Sequence, residues 1–244
     1  VTGPIVLSIG TTHPWNVAGV GRDLIVGSAW NARVFTAVAA VSAQNAGGLM
    51  ALAPIPSTVV RSQLSALPWD AAGAVRVGAL VTVDNVRAVS AALRARPALL
   101  AVVDPVFSAS RGGELAQPAA RDAIRDELAT LPNVILTPNL DETAALLGSH
   151  PIHREAIGDA AISLQLRGAR AVLVKGGHAD GDPIDALATS AGVDLFTESR
   201  IAGAMHGTGC TLAMALACEL ANGTPLIDAV ATARAYVRTQ LARH

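Results

Sequence analysis

The sequence predicts an α/β fold: one doubly wound, mostly parallel central sheet with helices on both faces, in a single domain over residues 1–244. Three observations carry this. The apolar runs are short and continuous rather than alternating, as strands buried on both faces require. They alternate with helical patterns along the whole chain. No linker, low-complexity tract or repeat interrupts them. With 244 residues, 51% hydrophobic and 15% charged, the chain can bury one large core.

Ile5–Ile9 is an apolar run that stops at Gly10 and predicts the first strand. A loop to Arg22-Asp23 leads into a helix ending near Arg33. Val34–Val41 is β-branched enough for a second buried strand, followed by a Gly47-Gly48 turn. Helix is predicted for Pro56–Leu67, strand for Val75–Leu80, and an amphipathic helix for Thr82–Arg96. Leu99–Val103 is a strand ending in Asp104-Pro105; a loop with Gly112-Gly113 precedes a helix over Pro118–Leu131. Val134–Leu136 is a strand with helix Asp141–Leu147 behind it. His153–Arg167 is helical, and Ala171–Val174 is a strand running into Lys175-Gly176-Gly177-His178. Ala186–Thr189 and Val193–Glu198 pair as a hairpin around Ala191-Gly192. Thr208 opens an apolar helix closed by Asn222-Gly223, and Pro225–Leu241 is the last helix.

Composition narrows the function. The net charge is −1 and the arginines are scattered, which argues against nucleic acid or an anionic membrane as partner. The N-terminus shows no signal-peptide pattern and no apolar run is long enough to span a bilayer, so a cytoplasmic protein is expected. Cys210 and Cys218 lie eight positions apart on one predicted helix, roughly 12 Å of rise. That is beyond disulfide reach, and free thiols fit a reducing compartment. Lys175 is the only lysine in the chain.

The stretch His206-Gly207-Thr208-Gly209-Cys210 holds the densest chemistry. Glycines in front of a helix let a ligand approach the main chain. The first helix amides have no internal partners and carry the positive end of the dipole. Gly207, Thr208, Gly209 and Cys210 therefore suit a phosphate whose charge builds during transfer. The same field is expected to lower the Cys210 thiol pKa. A glycine-capped helix start with a small buried cysteine is the plainer alternative. Polar or glycine residues also punctuate the predicted strand ends at Gly10, Gln44, Asp104, Asn139 and Lys175, where open parallel sheets bind ligands.

Five motifs occur in order: Ala43-Gln44-Asn45, Asp104-Pro105-Val106, Thr137-Pro138-Asn139-Leu140 with Glu142, Val174-Lys175-Gly176-Gly177-His178, and His206 to Leu212. Together they resemble the hydroxymethylpyrimidine/phosphomethylpyrimidine kinases of thiamine biosynthesis, in the ribokinase-like superfamily. The resemblance implies phosphorylation of a pyrimidine hydroxymethyl group by ATP with Mg²⁺, then a second phosphorylation to the diphosphate, by a cytoplasmic homodimer. It casts Cys210 as the catalytic base, with Gly207 and Gly209 in the anion hole and Lys175 beside the nucleotide. Thr137, Asn139, Gly176 and Thr208 join the nucleotide contacts, with helix capping the alternative for Asn139 and Thr208. Asp104 and Glu142 hold Mg²⁺ directly or through water. Gln44 reads the aminopyrimidine edge through a donor and an acceptor, Gly10 opens the first loop, and Asp23 is a substrate contact or a helix anchor. His178 and His206 orient neighbouring loops; neither has metal-ligand spacing. Cys218 is a core residue.

The acceptor side departs from the family. The first loop, Thr11-Thr12-His13-Pro14-Trp15-Asn16-Val17-Ala18, lacks the acid and the Gly-Gly of the resemblance; Ile25, Asn31 and Ala79 replace expected residues, and Ala202-Gly203-Ala204-Met205 replaces a polar run. If Trp15 fills the loop's phosphate nest, the monophosphate is a poorer acceptor than the free alcohol. If the loop swings outward, Trp15 packs at the surface. A vitamin kinase acting on a pyridoxine-like or thiazole alcohol, and a non-catalytic pyrimidine binder, are the competing functions.

Overall fold

The computed structural model describes residues 3–45, 47–109, 111–177, 181–201 and 205–243. Its strands are β1 (Ile5–Thr11), β2 (Arg33–Asn45), β3 (Gly48–Pro54), β4 (Ala74–Val77), β5 (Ala101–Val103), β6 (Val134–Leu136), β7 (Ala171–Lys175), β8 (Ile184–Thr189) and β9 (Gly192–Thr197). They form one sheet in the order β3-β2-β1-β4-β5-β6-β7-β8-β9. β2, β1, β4, β5, β6 and β7 run parallel in that order, and antiparallel β3 on one edge and the β8–β9 hairpin on the other finish the sheet.

The helices are α1 (Gly19–Ala29), α2 (Ser57–Ala66), α3 (Val83–Arg94), α4 (Pro118–Ala123), α5 (Leu140–Leu147), α6 (Ile157–Gln165), α7 (Thr208–Ala221) and α8 (Leu226–Leu241). The pleat sends alternate strand residues to opposite faces. Leu7, Ile9, Val75, Val77, Val103 and Leu136 pack under α2 to α6, whereas Val6, Ala74, Val102 and Ile135 pack under α1, α7 and α8. Each buried aliphatic side chain contributes about 1.5–3 kcal/mol relative to exposure. Thr211 to Cys218 are all buried, so α7 is enclosed on every side and its N-terminus is held rigidly above the sheet.

The doubly wound prediction holds, with local differences. β3 was not anticipated: Leu49-Met50-Ala51-Leu52-Ala53 contains no β-branched residue, so its strand character comes from pairing with β2. α1 begins at Gly19 rather than beyond Asp23 and ends at Ala29; Asn31 then takes a left-handed φ of 52°. The helix expected over Pro118–Leu131 is α-helical only to Ala123 and continues as one π-turn, Ile124–Leu128. No helix among the described residues is long and apolar enough to cross a membrane.

β1 lies between β2 and β4, so the chain reverses its direction of winding there. This is the position where an open α/β sheet leaves a crevice beyond its carboxyl ends.

Candidate active site

The strand register aligns the site. Ile9, Val77, Val103 and Leu136 stand abreast across β1, β4, β5 and β6. The next row is Gly10, Gly78, Asp104 and Thr137, tied by amides from Gly78 to Ile9, Asp104 to Val77 and Thr137 to Val103. Asp104 lies two residues beyond Val102, so it faces α1 and α7. It is 2% exposed, and Lys175 Nζ donates to its Oδ1 at 2.7 Å. A Cβ on Gly209 would sit 3.1 Å from the same Nζ. Lys175, Asp104 and the α7 N-terminus therefore meet at one point.

Two helix starts converge here without caps. α7 has Gly207 as its N-cap, at φ 75°, and α1 has Ala18; neither receives a side-chain cap or an acid in its first turn. The Gly19 amide of α1 is directed at Cys210, whereas α3 is capped by Thr82. Thr208 is the first residue of α7 and makes no capping bond. Gly207 admits no side chain, because a Cβ would lie 1.9 Å from the Val17 carbonyl oxygen.

Cys210 is partly exposed beneath these amides, and Cys218 is a buried free thiol as expected. The expected lowering of the Cys210 pKa is reversed. Burial pushes the thiol up, Arg76 pulls it down, Asp104 and Asp23 add to the rise, and the Gly19 amide pulls it down again. Desolvation of a thiolate among carboxylates outweighs the pull of Arg76 and the Gly19 amide.

Arg76 is the residue that sequence reasoning missed. It sits in mid-β4, is 1% exposed, and reaches Asp23 at 3.3 Å and Asp104 at 3.5 Å. Burial opposes its charge, but Asp23, Cys210 and Asp104 outweigh that and keep it protonated. Glycines make room for it: a Cβ on Gly78 would lie 2.1 Å from Nη1, and one on Gly10 would lie 3.5 Å away. The signal was present, since an arginine inside Ala74-Val75-Arg76-Val77 has no polar strand face to occupy.

Several expected contacts have internal roles instead. Asp23 is 0% exposed and accepts from Ser8 Oγ at 2.6 Å as well as pairing with Arg76, so it anchors α1 to the sheet rather than meeting a substrate. Thr137 is fully buried, with Oγ1 3.4 Å from Asp104 Oδ1. The Gly176 amide is spent on Asp185 at 2.9 Å, and a Cβ there would strike the Ile184 carbonyl at 2.2 Å. Asn139 caps α5: its Oδ1 accepts from the Glu142 amide, and its own amide donates to Glu142 Oε2, both at 2.8 Å. Gln44 is half-buried near the mouth, where its Nε2 donates to Ser42 Oγ at 2.8 Å. His206 accepts from Arg111 Nε at 2.7 Å. His178 lies outside the described residues, as do Ala202, Gly203 and Ala204.

The residues fit a magnesium ion in part. Among the described residues no group of three or more His, Cys, Asp or Glu side chains can cage a metal. Mg²⁺ does not need one, because it takes one or two carboxylates with water and substrate phosphates. Glu142 suits this: capping uses Oε2 and leaves Oε1 without a hydrogen bond from the described residues. Burial pushes its carboxyl up to about 7, Lys175 pulls against that, and Asp104 adds to the rise. Asp104 Oδ1 accepts from Lys175 and Thr137, and its Oδ2 lies 3.5 Å from Arg76, so Asp104 is already bound to cationic and hydroxyl groups of the protein. Burial also works against the Lys175 ammonium, but Asp104 and Glu142 outweigh it and hold its pKa above the ordinary value. The β4–α3 connection is strained beside all this, with Val81 at φ 68°.

Residues 14–244 match the family model for phosphomethylpyrimidine kinase. A hydroxymethylpyrimidine/phosphomethylpyrimidine kinase of Rhizobium meliloti (strain 1021) is 37% identical over 245 aligned positions, covering 97% of this chain and 90% of the relative. The crystal structure of phosphomethylpyrimidine kinase from Clostridium difficile 630 has a TM-score of 0.85 at 25% identity, covering 97% and 99% of the two chains. The pyridoxal kinase from Staphylococcus aureus in complex with pyridoxal has a TM-score of 0.88 at 26% identity, covering 99% of this chain and 88% of that one.

Proposed function

The chain belongs to the phosphomethylpyrimidine kinase family, and from that premise we propose that it transfers the γ-phosphoryl group of ATP to the hydroxymethyl group of an aminopyrimidine in thiamine biosynthesis. The observation that carries this reading is the meeting of Lys175, Asp104, Cys210 and two uncapped helix starts at the sheet's switch point. Phosphoryl transfer needs little covalent chemistry from a protein; it needs position and charge. In this reading the α7 amides at Gly207, Thr208 and Gly209 face the equatorial oxygens of the moving group. Lys175, held by Asp104, adds a cation on the nucleotide side. Cys210 takes the proton of the attacking alcohol, and the partly open Gln44 presents its amide to the ring edge. Mg²⁺, held through Glu142 and the phosphates, supplies further charge neutralisation. Cytoplasmic location and a homodimer go with the family resemblance.

Glu142→Gln is expected to raise the Mg²⁺ concentration for half-maximal rate by about tenfold, the scale of one lost charge-assisted contact. Asp104→Asn releases Lys175 and should lower kcat more than it shifts the metal titration. A Mg²⁺ titration of both variants decides between them: equal metal shifts would restore Asp104 as a full ligand, and no shift in Glu142→Gln would remove Glu142.

The similarity to a pyridoxal kinase keeps a second acceptor in view. ATP consumption by the purified protein with hydroxymethylpyrimidine, pyridoxal and a thiazole alcohol tests the reading. A preference for pyridoxal would replace it, and ligand binding without turnover would indicate a non-catalytic relative.

A further inference from the structure

The first loop carries Trp15 outward, 58% exposed, so its indole lies at the surface. The unexpected arrangement is on the other side of the site, where β7 hands the chain to β8. These strands are antiparallel, and their register sets Lys175 directly opposite Asp185. Each lies two positions from a leucine, Leu173 or Leu187, that packs on the α7–α8 side, so both side chains leave that face of the sheet. Residues opposed in this way have Cβ atoms about 4.5–5.5 Å apart, within easy reach of a lysine. The two charges nevertheless do not pair. Lys175 Nζ donates at 2.7 Å to Asp104, two strands away at the end of β5, and lies beside Gly209 at the start of α7.

Arg234 of α8 is what separates them. Its Nε donates to Asp185 Oδ2 at 2.8 Å, and the Gly176 amide donates to Oδ1 at 2.9 Å. Each oxygen of the Asp185 carboxylate thus has a donor of its own. Arg234 is 7% exposed and is itself fixed: Nη2 donates to the Phe196 carbonyl at 3.2 Å, and the guanidinium stands 5.3 Å from the centre of the Phe196 ring. Its Nη1 lies 3.6 Å from Glu198, but Glu198 also has Arg238 at 2.6 Å. Without the Arg234 charge, Asp185 is therefore the carboxylate left uncompensated, at 8% exposure. A buried charge in that state is costly, and the lysine across the strand is the cation placed to relieve it.

We propose that Arg234 is a positioning residue for the nucleotide side of the site: by satisfying Asp185 it keeps that carboxylate from capturing Lys175, and so holds the ammonium on Asp104 at the start of α7. The inference rests on the kinase reading above, in which Lys175 faces the nucleotide, and it gives α8 control over where Lys175 points. The effect is a competition between charges. It differs from a loss of packing in one respect, because removing the competing carboxylate undoes it.

Calorimetric titration with ADP and Mg²⁺, which needs no acceptor, tests this in Arg234→Gln, Arg234→Lys and the double variant Arg234→Gln with Asp185→Asn. Arg234→Gln should weaken ADP by about tenfold, the scale of one charge-assisted hydrogen bond. The KM for ATP should rise with it while the KM for hydroxymethylpyrimidine stays unchanged. Arg234→Lys returns a cation to Asp185 and should remain near the wild type. In the double variant the new asparagine can still accept the Gly176 amide and donate to the introduced glutamine, but it no longer attracts an ammonium. Most of the lost ADP affinity should return. Because Lys175 is the only lysine, isotope labelling at Nζ reads it as a single resonance, which should move in Arg234→Gln and move back in the double variant. Unchanged ADP affinity in Arg234→Gln, or a double variant that binds no better than Arg234→Gln, overturns the proposal and leaves the kinase reading standing. If Arg234→Gln alone does not fold, the double variant decides: a folded protein with wild-type ADP affinity and resonance upholds the role, and anything less overturns it. The expected ADP pattern in a protein that phosphorylates no alcohol would uphold the role of Arg234 and end the kinase reading.

Discussion

Cys210→Ala is expected to lower kcat by about a hundredfold or more while ATP binding survives. The side chain lies at the first turn of α7, with the Gly19 amide directed at its sulfur and Arg76 nearby. Alanine keeps the helix and its amides, so the anion hole persists while the proton acceptor is lost. The direction of the thiol shift adds a second expectation. Only the thiolate takes a proton, and burial raises the pKa, so kcat/KM should climb with pH and still be climbing above the ordinary thiol value of about 8.5. Pre-steady-state and steady-state rates across pH 6–10, with nucleotide affinity measured separately, check both points. A variant with near wild-type kcat would end the role of Cys210 as base.

The contrast between what the sequence discloses and what it hides follows from the type of signal. The β1, β4 to β7 frame is legible because buried parallel strands are continuous apolar runs. Gly207, Gly209, Asp104 and Lys175 are legible because each stands at a boundary where apolar pattern gives way to polar punctuation. β3 is not, since its Ala- and Leu-rich segment takes strand form only through its partner β2. Thr137, Asn139 and Gly176 occupy the predicted place but spend their hydrogen bonds internally, a distinction that motif spacing cannot carry. The pair Asp23 and Arg76 is separated by 53 positions, and only the folded register brings the two charges together. The orientation of Trp15 and His13 depends on a left-handed Asn16 at φ 52° and on loop hydrogen bonds, which residue types alone do not specify.

The buried charges also explain why the site keeps its shape. Lys175 and Arg76 flank Asp104, while Asp185 ties the Gly176 amide to Arg234 on α8 at 2.8 Å. The end of β7 is therefore fixed by two ion pairs on the α7–α8 face of the sheet, and Lys175 is aimed at Asp104. Preorganisation of this kind removes reorganisation from the transfer step itself.

Arg76→Met is expected to cost about 3–5 kcal/mol of stability, because it leaves buried Asp23 without its counter-charge and takes one of two cations from Asp104. For a chain of this size that corresponds to a fall in Tm of roughly 10 °C. Arg76 approaches Asp23 and Asp104 at 3.3 and 3.5 Å, and its Nε has no partner, so the geometry is loose and methionine replaces its volume reasonably well. The loss should therefore come from the stranded charges rather than from a cavity. A double-mutant cycle separates the two causes. Asp23→Leu removes the carboxylate that burial already pushes toward its neutral form, and combined with Arg76→Met it should recover a large part of the lost stability. Turnover should not recover with it, since Cys210 would still lack the neighbouring guanidinium. Thermal unfolding of the wild type, both single variants and the double variant, alongside ATP turnover, gives all four corners. An Arg76→Met protein as stable as the wild type, or a double variant no more stable than Arg76→Met, would mean that the buried guanidinium does not hold the switch point together.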